Sequence, residues 1–70
     1  MNIVIENIKS IIKENGLKQR YVAEKAGFTE AEFSNMLNGR KMFRTEYVNL
    51  VCNALGVQPN DLFSRNNKAS

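Results

Sequence analysis

The chain has no histidine and a single cysteine, Cys52. Without histidine there is no Ser-His or Cys-His pair to activate a nucleophile. One thiol and no imidazole exclude the usual zinc spacings. A lone cysteine cannot form an internal disulfide, which suits a reducing cytoplasm. The four glycines are scattered rather than gathered into a phosphate-cradling loop, and Pro59 is the only proline. No apolar run approaches the about 20 residues that a membrane span requires. No charged segment followed by a long apolar stretch reads as a signal peptide. The carboxylates are spread over helix surfaces. These absences argue against an enzyme, a metal or other cofactor, a small-molecule ligand and a membrane association. The expected location is the cytoplasm.

What is present points to one small helical domain. Seventy residues, 43% of them hydrophobic, suffice for a single compact core. Stability at this size is marginal, roughly 0.05–0.15 kcal/mol per residue. The net charge is +3 and is unevenly placed. Over residues 1–35, Lys9, Lys13, Lys18, Arg20 and Lys25 are cancelled by Glu6, Glu14, Glu24, Glu30 and Glu32. Beyond them, Arg40, Lys41, Arg44, Arg65 and Lys68 face only Glu46 and Asp61, so the whole excess lies in the second half. Three of these cations crowd into residues 40–44, a local patch suited to phosphate.

Gly16, Gly27, Gly39 and Gly56 divide the chain into five helical segments. Period-2 alternation is confined to a stretch near Asn2–Glu6 that is too short for a strand. The first helix is expected over about residues 2–15, with Val4, Ile8, Ile11 and Ile12 as its apolar stripe and Ile5 on the flank. The second is expected over 18–26, burying Val22, Ala23 and Ala26; Lys18 is a poor cap, so its start is weakly specified. The third is expected over 30–37. The fourth follows Thr45, the expected N-cap, and reaches Leu55; Val48, Val51, Cys52 and Leu55 form its i, i+3, i+4, i+7 core face. A short fifth helix opens at Pro59, a favoured first position, with Leu62 and Phe63 expected inward. Residues 1–63 thus form the domain and 64–70 a polar, frayed tail.

Between Ala23 and Gly39 the residues spell two helices and a tight turn. Ala23 is small enough for a close helix crossing. Gly27 can take the left-handed conformation that ends a helix and redirects the chain. Thr29 and Glu32 have the spacing of a capping box. Phe33 and Met36 form the inward stripe of the next helix, leaving its reverse side outward. That is the pattern of a DNA-binding helix-turn-helix.

With these residues in place, about residues 5–63 resemble the lambda-repressor-like, Cro/repressor-type (XRE-like) helix-turn-helix family. The matching residues are Leu17-Lys18-Gln19 opening the second helix, Ala23 and Gly27 in the turn unit, Asn38-Gly39 closing the third helix, and Ala54-Leu55-Gly56-Val57 closing the fourth. The resemblance implies an all-α, five-helix domain that binds double-stranded operator DNA, usually as a homodimer. It implies a transcriptional regulator, a repressor of bacterial, phage or mobile-element origin. It places Thr29, Glu30, Ala31 and Asn35 toward bases in the major groove. It makes Gln19, Asn38 and Arg40 backbone contacts, with Lys41 and Arg44 assisting from the same loop. The chain departs from the family pattern at Phe33, where Ile or Val is commoner, in a 40–44 loop about one residue longer than in the shortest members, and in the negative charge that Glu30 and Glu32 place in the DNA-facing helix.

Each of these residues also has a plainer role. Asn35 is either a bidentate partner of adenine or a solvated surface residue. Glu32 suits the capping box better than a DNA contact. Glu30 suits the positive end of a helix as well as it suits cytosine N4. Met42 and Phe43 can tuck under the fourth helix or join a dimer seam. Tyr21 or Tyr47 can reach phosphate through its hydroxyl. Cys52 belongs to a core stripe, where no reactive role is expected. Two other functional classes share the fold: a protein-interaction module of antitoxin or anti-repressor type, favoured by the Glu30/Glu32 pair, and an RNA-binding variant, for which no stacking platform is evident. The expected dimer surface is the end of the fourth helix, the fifth helix and the tail.

Overall fold

The computed structural model describes residues 3–64, with side chains described as far as Phe63. Its elements are α1 (Ile3–Glu14), α2 (Gln19–Ala26), α3 (Glu30–Leu37), α4 (Tyr47–Leu55) and α5 (Pro59–Ser64). The polar tail expected from residue 64 lies outside these residues, apart from the end of α5.

The apolar periodicity of each helix converges on one core. Ile8, Ile11, Val22, Phe33, Met36, Val51 and Leu62 are its largest fully buried side chains. Helix α2 is central, packing on both α3 and α4, while α1 closes against α5. Ala23 is completely buried, as a close crossing at that point requires. On α1 the buried face is turned slightly from the expected stripe. Ile5 is buried rather than flanking, and Ile12 is only half-buried.

A polar residue fastens the first helix to the last. Asn7 lies within the α1 core face and is only 4% exposed. Its side-chain amide donates to the Leu62 carbonyl in the last turn of α5. One orphan carbonyl of a short helix is thereby satisfied, and the buried amide does not lack a partner.

Two local expectations are corrected. Thr45 does not cap α4; Glu46 occupies the N-cap position and makes no side-chain cap. The Tyr47 amide instead donates to the Arg44 carbonyl at 2.9 Å, and the Val48 amide to the Thr45 carbonyl at 3.0 Å. These three-residue spacings tighten the first turn and satisfy two of its amides from the backbone. Phe63 is 53% exposed rather than inward. Helix α5 has only six residues and turns Leu62 toward the core, so its neighbour, about 100° round the helix, is left at the edge.

Candidate nucleic-acid interface

The turn between α2 and α3 aims the candidate reading helix. Gly27 ends α2 with φ of +94°. Its amide donates to the Glu24 carbonyl at 3.1 Å, and the Phe28 amide to the Ala23 carbonyl at 2.8 Å. These paired bonds form a Schellman closure, which satisfies two of the free carbonyls of α2 and sends the chain away from its axis.

Helix α3 then starts with a complete capping box. The Glu32 amide donates to Thr29 Oγ1 at 3.1 Å, and the Thr29 amide to Glu32 Oε1 at 3.0 Å. The residue before the cap, Phe28, stacks on Phe33 with ring centroids 6.3 Å apart. That is a hydrophobic staple, fixing the angle at which the chain enters the helix. Sequence reasoning found the box but not the staple. Its signal was legible in the two phenylalanines flanking the box.

The orientation of α3 follows. Phe33, Met36 and Leu37 are buried, whereas Thr29, Glu30, Ala31 and Asn38 are exposed. Asn35 is half-buried. Glu32 is engaged by the cap through Oε1, whereas Glu30 makes no side-chain hydrogen bond or ion pair among the described residues. Thr29 Oγ1 accepts from Glu32, which leaves its hydroxyl hydrogen for a further acceptor. Gln19, the first residue of α2, is half-buried, and its neighbour Arg20 is paired with Glu24 at 3.2 Å on the helix surface.

Helix α3 ends at Leu37 with Asn38 as its C-cap, and Gly39 takes φ of +79°. The Asn35 carbonyl accepts both the Arg40 amide, at 2.8 Å, and the Lys41 amide, at 3.2 Å. Asn35 thus carries the backbone anchor of the basic loop. The Asn38 side-chain amide donates to Ser34 Oγ at 3.3 Å. Arg40, Lys41 and Arg44 are all exposed. None makes an ion pair or side-chain hydrogen bond among the described residues. Within this loop Met42 points to solvent, 73% exposed, while Phe43 packs partly against the core. Tyr47 is half-buried and takes part in that packing, whereas Tyr21 is exposed with the Lys25 ammonium 5.8 Å above its ring.

The exposed residues of α3 and its caps therefore adjoin a run of cations that have no ion-pair partner among the described residues. Among the described residues no group of His, Cys, Asp and Glu is placed to hold a metal ion. No helix there is long and apolar enough to cross a membrane.

The pattern matches a family model for the Cro/C1-type helix-turn-helix DNA-binding domain over residues 7–68. The chain belongs to that family, a class of DNA-binding transcriptional regulators. It is also similar to the clp gene regulator ClgR from C. glutamicum, whose crystal structure matches with a TM-score of 0.79 at 26% identity, over 87% of this chain and 79% of that one. No curated relative matches the chain.

Proposed function

We propose that the protein is a repressor that reads operator DNA by laying α3 in the major groove. The observation that carries the reading is the junction of the α3 outer face with the unpaired cations of the 40–44 loop. Thr29, Glu30, Ala31 and Asn35 face the bases. Gln19, at the start of α2, and Asn38, Arg40, Lys41 and Arg44, after α3, hold phosphates on either side. The phosphate contacts set register and the base contacts set sequence. Asn35 pairs with adenine N6 and N7, a contact worth about 1–3 kcal/mol of discrimination. Glu30 accepts from cytosine N4 and repels sites that lack that donor.

Two copies bind as a homodimer across half-sites about 34–36 Å apart. The end of α4 and α5 form the seam; Phe63 of α5 stands exposed and, with Val4, Phe43, Thr45 and Val48, lines a groove of about 200 Å³ that reaches to the start of α4. A cytoplasmic regulator of bacterial, phage or mobile-element origin fits this design. The protein-interaction reading has less support, because the cap engages one of the two glutamates on which it rests.

Anisotropy titration on library-selected and random duplexes, over a salt series, tests the assignment. Asn35→Ala should erase the preference for the selected duplex. Arg40→Ala should weaken both alike and flatten the salt slope by about one unit. Unchanged binding in both variants would refute the interface.

A further inference from the structure

The loop that carries Arg40, Lys41 and Arg44 has no regular secondary structure of its own, yet it is tied to the reading helix by aromatic rings. Phe33, fully buried in α3, stacks on Phe28. Phe28 meets Tyr47 edge to face, with centroids 5.0 Å apart and planes at 72°. Tyr47 in turn meets Phe43 at 6.0 Å and 72°. All three spacings lie within the about 4.5–7 Å range in which aromatic pairs attract. The rings form one continuous chain from the middle of α3, through the start of α4, into the centre of the basic loop. Phe43 is the loop's inward side chain, between exposed Met42 and Arg44. The Tyr47 amide donates to the Arg44 carbonyl, so the same residue holds the loop by ring and by backbone.

We infer that Phe43 and Tyr47 are positioning residues for DNA binding: their rings hold the 40–44 cations at a fixed height and angle relative to α3. Neither ring touches the nucleic acid. The consequence is a separation of labour. Asn35 governs which sequence is bound, and the ring chain governs how many phosphates are gripped once α3 is seated. Without it the loop is anchored only at its ends, on the Asn35 carbonyl and the first turn of α4. The cations then sample many positions and neutralise fewer phosphates on average.

The inference rests on the DNA reading above, and the experiment separates the two. Binding of the whole chain to random and library-selected duplexes is titrated over a salt series, with the folded fraction taken from far-UV circular dichroism. Phe43→Leu and Tyr47→Leu keep an apolar side chain and remove a ring. Each should flatten the slope of log affinity against log salt by about one to three units, since each lost phosphate contact removes about 0.9. The ratio of selected to random affinity should stay within about twofold, because both duplexes share the same phosphate contacts. Phe43→Tyr and Tyr47→Phe restore the rings and should restore the wild-type slope. Folded Leu variants with a wild-type slope would overturn the inference. So would a Tyr47→Phe loss as large as that of Tyr47→Leu, which would mean the hydroxyl itself meets phosphate. Unfolding of both Leu variants would reduce the rings to general core and overturn it equally. Arg40→Ala and Arg44→Ala identify the other failure. If neither changes the slope, the DNA interface is misplaced and the inference falls with it.

Discussion

Replacing Gly27 by alanine tests the turn on which the orientation of α3 depends. The residue sits at φ of +94° and ψ of 19°. A Cβ built there meets nothing within 4 Å, so any cost comes from the backbone conformation alone and not from a collision. An L-residue in the left-handed region loses roughly 1–2 kcal/mol. Part of this is returned, because alanine restricts the unfolded chain by about 0.4–1 kcal/mol more than glycine does. The expected net loss is about 1 kcal/mol, from a total of roughly 4–10 kcal/mol for 70 residues. That corresponds to a fall of about 4–8 °C in Tm, or about 1 M in the urea midpoint if the m-value is near about 1 kcal/mol per molar. Asparagine tolerates the left-handed region better, so Gly27→Asn should lose less than Gly27→Ala. Urea titration followed by far-UV circular dichroism measures both. Equal stability in all three proteins would mean that position 27 is not held left-handed. A loss beyond about 3 kcal/mol would mean that the open space around it is filled. Either result would refute the reasoning.

Further outcomes follow from the same geometry. Thr29→Ala should cost about 1 kcal/mol by removing half of the capping box, while Thr29→Ser should keep it; a double-mutant cycle with Glu32→Ala should show that the two losses are not additive. Asn7→Ala should cost about 1–3 kcal/mol, because it strips the Leu62 carbonyl of its donor at the α1–α5 contact. Burial, and secondarily the negative charge of Asp61, pushes the Cys52 thiol above its ordinary 9.0. The unfolded thiol therefore ionises first, so this contribution is intact below about pH 9 and is lost as pH rises above it. The urea midpoint of the wild type should fall more steeply over that range than that of Cys52→Ala. Phe63→Glu should shift sedimentation of the free protein toward monomer; a wild type that is already monomeric at high concentration would remove α5 from the dimer seam.

The helices and their order were legible in the linear pattern, because the relevant interactions are local. Glycine spacing marks the left-handed ends, the Thr29–Glu32 interval marks a cap, and the rhythm of α4 marks a buried face at Val48, Val51 and Cys52, although Leu55 is only half-buried and Ala54 is buried in its place. Each of these acts within about two turns of chain. Where tertiary packing competed with local chemistry, the pattern misled. Thr45 looked like a cap, but the Tyr47 and Val48 amides bond to the Arg44 and Thr45 carbonyls instead. Phe63 looked like core, but a helix of six residues offers one inward face and Leu62 takes it.

By itself, then, the order of residues determined five helices, the inward side of α3, and the run of cations that follows it. Only the folded chain decided that Asn7 would bind the far end of the molecule, 55 residues away. Only the fold, too, decided that Phe28 would meet Tyr47, joining the local pairs Phe28–Phe33 and Phe43–Tyr47 into a single chain of rings. Both rest on contacts between segments whose meeting depends on how α1, α3, α4 and α5 pack together, and no local spacing encodes that.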